Sequence, residues 1–463
     1  MNQTKIKPGT VLSLEDCLKY ADETKVLINK KNAIQEIPDI LRSSYKFDAV
    51  CLIADENTFK AAGKKVKELL EKSGIKIAGV KLFPGEPRLH AEYSHVREIK
   101  AWISSLPGFP HLVPVSTGSG TINDLVKCAS YELKLPYLCV PTAASVDGYT
   151  PNGAALLMDG FKQTVPCTAP LALAADTDII AKAPAYLSSS GFGDLASKII
   201  AGTDWIIAEK AASLGAPGAQ PIDPVPWAMV QNGLMAALKK SVNAARGDGD
   251  AANALFQSLA ITGFAMQYYK NSRPVSGGEH LYSHVWEMED LIFKGEPVTH
   301  GHKVTIGTLA ATAFTEIFFA EPAGPPEPPK TYKRPLRDER KAEVTAFFKS
   351  NRAYEKILSA AMEKFMDTKK AEKINQAFRD SWKEIRDKVL ERLLPYSELK
   401  ALLASAGCPV TPAEIGLGRD EVIAASRRAQ MIRNKYSILD LSWDMGNFET
   451  ILEKMDKSAL FLK

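Results

Sequence analysis

Four of the seven histidines in this chain fall within one short stretch: His280, His284, His300 and His302. His280 and His284 are four apart, so on a helix they share one face. His300 follows twenty residues after His280, the length of one helix, a turn and the return of a second helix. A neutral imidazole on each of two neighbouring helices, completed by a carboxylate, is a divalent-metal site. Ordinary surface histidines would show the same spacing, so the pattern alone does not choose between the two. The six cysteines are scattered and form no C-x-x-C. They read as reduced, mostly buried thiols of a cytosolic protein, which leaves histidine and carboxylate chemistry.

The elements that must position these residues fall into two kinds. From 25 to 180, strand and helix patterns alternate, so this part is α/β with a mostly parallel, Rossmann-like sheet. Strands are expected at Lys25–Asn29, Phe47–Ala54, Ile75–Phe83, His111–Ser116, Tyr137–Thr142 and Ala172–Ile180, several of them continuous apolar runs of the type buried on both faces. Polar residues cluster where strands end: Asp55 and Asn57, then Thr117-Gly-Ser-Gly-Thr-Ile-Asn-Asp124, then Thr142, Ser145 and Asp147. Such strand ends are where open α/β sheets put their ligands. The glycine-bearing turn, leading into a helix over Leu125–Leu133, lets a diphosphate approach the backbone and a helix N-terminus. It lacks the third glycine of the dinucleotide fingerprint, because Asn123 stands there. Asn152–Thr164 reads as a hairpin.

After about 184 strand patterns stop. Ser188–Lys198 reads as a small-residue loop entering a helix, and helices are expected over Trp227–Ala245, Ala251–Tyr269, Gly278–Phe293 and Val304–Ala320. The proline-rich stretch Glu321–Pro329 is an extended connection. The rest, about 336 to 460, is amphipathic and should pack on the helical part. Thr411-Pro-Ala-Glu414 is a helix start with a capping box. The expected division is 1–184, an α/β domain, and 185–463, an all-α domain with a C-terminal helical extension.

Composition narrows the class. A net charge of +4 with interspersed signs gives no basic run that tracks nucleic acid. The N-terminus lacks an apolar signal core, and no apolar stretch approaches the roughly 20 residues of a membrane helix. The expected setting is the cytoplasm.

Five ordered motifs then carry a resemblance: Gly118–Asp124, Pro141–Thr150, Gly191–Lys198, Ser272–His284 and His300–Val304. Together they resemble the sn-glycerol-1-phosphate dehydrogenase family, of the dehydroquinate synthase-like and iron-containing alcohol dehydrogenase superfamily. The ending Arg433–Asp440 looks like its bacterial AraM-type branch. The resemblance implies a metal-dependent oxidoreductase that reduces dihydroxyacetone phosphate with NAD(P)H, an α/β domain for the cofactor, a helical domain for one divalent metal (Zn, Ni or Fe), and dimers or larger assemblies. It implies Asp194, His280 and His300 as metal ligands. Gly118, Gly120, Thr121, Asn123 and Asp124 would border the diphosphate, Thr142 and Ser145 the nicotinamide, and Asp55 or Asn57 the adenosine ribose. His284 would contact substrate and relay a proton, and Asp147 would contact substrate. Lys198, four residues beyond Asp194, and Arg273 are candidates for the substrate phosphate. His302 reads as a turn histidine; His90, His95 and His111 read as structural.

Pro151 and Asn152 depart from the residues usual there, and the interval from His280 to His300 is long enough to hold an insertion. Other readings stay open: a dehydrogenase of another polyol or sugar phosphate, or a non-catalytic scaffold. A dehydroquinate-synthase-like lyase is disfavoured, because its G-H-T-x-G-H pattern is absent. An acidic Asp55 at the ribose end disfavours a 2′-phosphate without fixing NADH over NADPH.

Overall fold

The computed structural model describes residues 6–159 and 161–458. Of the sequence-based expectations, the chain start at 1–5 and Gly160 of the hairpin lie outside the described residues. The chain forms two compact units interleaved in sequence. The first takes in the described residues up to Met158, Lys162–Leu195 and Ala228–Asn271; the second takes in Ala196–Trp227 and the described residues from Ser272 onward. The chain thus crosses between units several times, whereas the expected division at 184/185 is a single cut. The reason lies in the helix Gly249–Tyr269. Its Gln267 side chain accepts from the Glu23 amide at 3.0 Å and donates to the Thr150 carbonyl at 2.7 Å, and Gln257 donates to Asn29 at 2.8 Å.

The first unit is built on six parallel strands: β1 (Val26–Lys30), β2 (Ala49–Asp55), β3 (Ile77–Phe83), β4 (Leu112–Gly118), β5 (Leu138–Pro141) and, after a separate hairpin of β6 (Gly153–Met158) and β7 (Phe161–Pro166), β8 (Ala172–Asp176). Their order is β1-β8-β5-β4-β2-β3. Every residue of β4, β5 and β8 is buried, as is all of β2 but its last residue. This is the two-faced burial that a continuous apolar run implies. From β2 the chain first moves outward to β3, then returns to the other side of β2 as β4. The order therefore reverses between β2 and β4, the point at which such sheets bind ligands beyond their strand C-termini.

Two local readings need correction. The helix after the glycine turn, α1, spans Gly120–Leu133 and starts five residues before the expected Leu125. Thr121, Asn123 and Asp124 therefore belong to its first turns rather than to a loop. Similarly, 188–196 is not a loop but part of the helix α2 (Ala185–Ala196). Its serines and glycines have poor helix propensity, yet close packing demands small side chains. A Cβ on Gly191 would lie 1.9 Å from the Ala144 carbonyl oxygen. Tertiary contact here overrides propensity.

The second unit is helical. Helix α3 (Lys198–Ser213) follows α2 after an interruption at Ser197. Next come α4 (Gly278–Met288) and α5 (His300–Phe318). The expected helix to Phe293 stops at Met288, and the interval before α5 holds a small antiparallel hairpin, β9 (Ile292–Phe293) and β10 (Glu296–Pro297). Here lies the extra length between the two histidines. Helix α6 (Arg419–Met431) packs on α4, and α7 (Ile438–Met445) follows it. The proline-rich connection is non-helical and pinned: Trp382 donates to the Glu321 carbonyl and Asn447 to that of Pro326. The capping box at Thr411 and Glu414 is present, but it opens only a short 3₁₀ turn, Pro412–Ile415.

Gly191→Ala tests the packing of α2. The added methyl has no room against a backbone oxygen, so we expect a loss of about 2–3 kcal/mol. Urea unfolding monitored by circular dichroism measures it.

Candidate metal centre and cofactor edge

His280 and His300 sit at the starts of α4 and α5, on two helices packed against each other. Gly307 permits the close approach, since a Cβ there would lie 2.3 Å from the Glu279 carbonyl oxygen. The His280 and His300 rings are 5.5 Å apart between centroids. Each imidazole is oriented by a carboxylate: Nδ1 of His280 lies 2.8 Å from Glu279 Oε1, and Nδ1 of His300 lies 2.8 Å from Glu287 Oε1. A proton on Nδ1 donated to a carboxylate places the lone pair on Nε2, the tautomer and orientation that metal-binding histidines adopt. Asp194, in the last turn of α2, is fully buried, and its Oδ2 accepts from the Asp147 amide at 2.9 Å. One ligand atom from each of Asp194, His280 and His300 lies within 4.8 Å of the others.

His284 follows His280 on the same helix, with ring centroids 6.3 Å apart. Its expected part as a proton relay falls to an imidazole of lowered pKa. Burial first, and then the Arg433 guanidinium, hold its pKa well below the usual histidine range, and His280 and His300 add to the effect. At neutral pH it is a neutral imidazole whose Nδ1 has no hydrogen-bond partner. It can exchange a proton only by donating its N–H or accepting at its lone pair. His302 is not in a turn, because it lies in the first turn of α5.

Arg273 is buried and donates to two carbonyls, Tyr436 O at 2.8 Å and Asp204 O at 2.7 Å. Lys198 is also buried, with Nζ 3.5 Å from Ser197 Oγ.

A buried carboxylate that sequence reading missed organises the start of α4. Asp204 Oδ2 accepts from the Gly278 amide at 2.6 Å and Oδ1 from the Ile438 amide at 2.7 Å. One side chain thus caps the N-termini of both α4 and α7, where unpaired N–H groups and helix dipoles favour an acceptor. Burial, and then the neighbouring Glu279, raise its pKa to about 7. Glu279 and Glu287 had a signal in sequence, as carboxylates one residue before His280 and three after His284. Asp204 had none, since its partner lies 234 positions away.

In the first unit, the expected cofactor residues collect at the ends of β2, β4 and β5, three adjacent strands. Asp55 ends β2 and caps the next turn, accepting from the Thr58 amide at 2.8 Å. Asn57 donates to the Gly85 carbonyl at 3.0 Å. Gly118 ends β4, and its carbonyl accepts from the Thr142 amide at 3.0 Å; Gly120 and half-buried Thr121 open α1. Thr142 and Ser145 are buried in the loop after β5. Ser116 and Thr117, buried at the end of β4, have hydroxyls without hydrogen-bond partners.

Asn123 and Asp124 have side-chain partners within the first unit. Asn123 is buried, donates to the Gly148 carbonyl at 3.0 Å and accepts from Tyr137 at 3.1 Å. Asp124 accepts from the Ala155 amide at 3.2 Å and lies 3.5 Å from Lys127. Both side chains clamp the loop after β5. Lys127, missed in sequence, completes the clamp by donating to Gly148 and Gly153 carbonyls at 2.6 and 3.0 Å.

Residues 6–184 match the family model described as iron-containing alcohol dehydrogenase. A glycerol-1-phosphate dehydrogenase (NAD(P)+) of Bacillus licheniformis is 34% identical over 291 residues, 62% of this chain and 69% of its own length. That of Bacillus subtilis is 30% identical over 387 residues, 83% of each chain. The chain belongs to this family, the glycerol-1-phosphate dehydrogenases within the iron-containing alcohol dehydrogenase class. Among solved structures, the alcohol dehydrogenase of Oenococcus oeni shares the fold, with a TM-score of 0.60 at 14% identity over 94% of this chain and 99% of that one.

The pKa of Asp204 gives a prediction. Unfolded, a carboxyl ionises near pH 4; folded, Asp204 keeps its proton up to about pH 7. Between these values the folded state binds more protons, so this group makes stability fall as pH rises. Urea midpoints of the metal-free protein should therefore fall more steeply from about pH 5 to 7 in the wild type than in Asp204→Asn.

Proposed function

We propose that the chain catalyses the reversible reduction of dihydroxyacetone phosphate to sn-glycerol 1-phosphate, using NADH or NADPH and one divalent metal held by Asp194, His280 and His300. The observation that carries this reading is the pair of histidines, each with Nδ1 fixed 2.8 Å from a carboxylate, in a chain of the glycerol-1-phosphate dehydrogenase family. One carboxylate and two Nε2 atoms make a donor set that suits Zn, Ni or Fe and leaves coordination open for substrate oxygens. A metal so held supplies Lewis acidity to a ketone oxygen.

The residues of the chain do the rest. Glu279 and Glu287 hold the imidazoles in the metal-binding tautomer. Asp204 fixes where α4 begins. His284, as a neutral imidazole, sits where it can pass a proton to or from a substrate oxygen. Asp147 lends its amide to Asp194 and borders the substrate. The ends of β2, β4 and β5, with the partnerless hydroxyls of Ser116 and Thr117, suit NAD(P)H at the topological switch of the sheet; that cofactor supplies the hydride. Gly118, Gly120 and Thr121 are the diphosphate edge, Thr142 and Ser145 the nicotinamide side, and Asp55 and Asn57 the ribose side. An aspartate in that place favours NADH. No helix among the described residues is long and apolar enough to cross a membrane, and six buried free thiols suit a reducing cytoplasm.

An assay of NADH oxidation with added Zn, Ni or Fe, run across dihydroxyacetone phosphate, dihydroxyacetone and other ketose phosphates, tests the reading. Turnover should be highest with dihydroxyacetone phosphate, and inactivity with every ketose phosphate refutes it. His280→Ala should remove bound metal and lower the rate at least about 100-fold. Glu287→Gln should keep the fold but weaken metal binding about 10- to 100-fold, read by calorimetric titration.

A further inference from the structure

A ketose phosphate needs a cation for its phosphate, and the two expected candidates are poorly placed to supply one. Arg273 commits two nitrogens to backbone carbonyls, and Lys198 is fully buried. We propose that Lys435, with Arg433 beside it, binds the substrate phosphate; this rests on the reading above that the substrate is a ketose phosphate.

Lys435 lies between α6 and α7, on a segment the helical metal unit holds close to the loop before α4. Its Nζ donates to Ser272 Oγ and to the Ser276 carbonyl, each at 3.0 Å. Ser276 comes four residues before His280, so the ammonium stands beside the chain that leads into the metal helix. An ammonium has three donors. Both hydrogen bonds go to neutral oxygens, and Lys435 makes no ion pair among the described residues.

Burial first, and then the Arg273 guanidinium, lower the Lys435 pKa to about 7; Arg433 acts in the same sense, and Glu279 and Asp204 in the opposite one. With only neutral oxygens as hydrogen-bond partners, the Lys435 ammonium gains a charge-assisted bond from an arriving dianion. The residue is half-buried, which leaves it a side open to solvent. Arg433, also half-buried, acts electrostatically on His284 and feels Glu287, the partner of His300. The segment 433–435 therefore runs from the histidines to the Ser272–Ser276 loop. Two cations two residues apart, with the Ser272 hydroxyl 3.0 Å from Lys435, are a donor set that a phosphate dianion takes.

The test compares wild type, Lys435→Gln and Lys435→Arg after metal loading, with circular dichroism to show that each is folded. In Lys435→Gln the KM for dihydroxyacetone phosphate should rise about 10- to 100-fold, the range expected for losing a charged hydrogen bond. The KM for NADH and the metal content should not change. The preference in kcat/KM for dihydroxyacetone phosphate over dihydroxyacetone should fall by the same factor, and competitive inhibition by inorganic phosphate should weaken with it. Lys435→Arg should recover part of each. Unchanged KM and phosphate inhibition in Lys435→Gln overturn the proposal while leaving the dehydrogenase reading intact. Equal losses with both ketones also overturn it, because a merely structural lysine would give them. A wild type inactive on every ketose phosphate removes the dehydrogenase reading and this proposal together. If Lys435→Gln does not fold, Arg433→Gln carries the same comparison, and an unchanged KM there counts against the proposal.

Discussion

Two hydrogen bonds of 2.8 Å, from His280 to Glu279 and from His300 to Glu287, set the chemistry open to this molecule. An imidazole offers a metal only the nitrogen that carries no proton. By taking the Nδ1 proton on each ring, the two carboxylates select the same donor atom on both helices and stop the rings from turning. The spacing of the helices then matters, and Gly307 sets it by letting α5 come within contact of the α4 backbone. Replace either carboxylate by an apolar side chain and the histidines would remain, but their donor atoms would be free to flip.

The same logic of fixed ends extends outward. Asp204 joins the first amide of α4 to that of α7, and Arg273 joins the carbonyl of Asp204 to that of Tyr436. The helices after the proline-rich connection are thus tied to the start of the histidine helix by buried polar bonds. In the first unit, Asn123, Asp124 and Lys127 do comparable work, using one face of α1 to fix the loop after β5. In both units the charged and amide groups nearest the proposed chemistry act as ties, and the residues left to meet ligands are few.

Much of this was legible in the sequence, because the strongest signals are local. The continuous apolar run at 47–54 reads as a doubly buried strand, and the strand found there, 49–55, is buried but for its last residue. The histidine spacing and the long interval between the two histidine helices were visible too, and the latter holds the β9–β10 hairpin. The misread parts were those whose conformation is set from a distance. Serines and glycines at 188–193 look like a loop until the Ala144 carbonyl beside Gly191 is known. Asn123 and Asp124 sit where a diphosphate contact is expected, and only the loop 148–155 shows where their side chains are spent. No spacing rule links Asp204 to Ile438. The pKa of His284 likewise depends on Arg433, which is remote in sequence.

The cap that Asp204 shares between α4 and α7 also bears on how the protein is made. Its second partner, Ile438, follows His280 by 158 positions. While the chain is being synthesised, the carboxylate that caps the first turn of α4 lacks one of its two amides until Ile438 has been made. A chain halted or clipped before 438 would expose a half-capped, charged group beside the histidines. The cap of the histidine helix is thus finished only by a segment made well after both histidines.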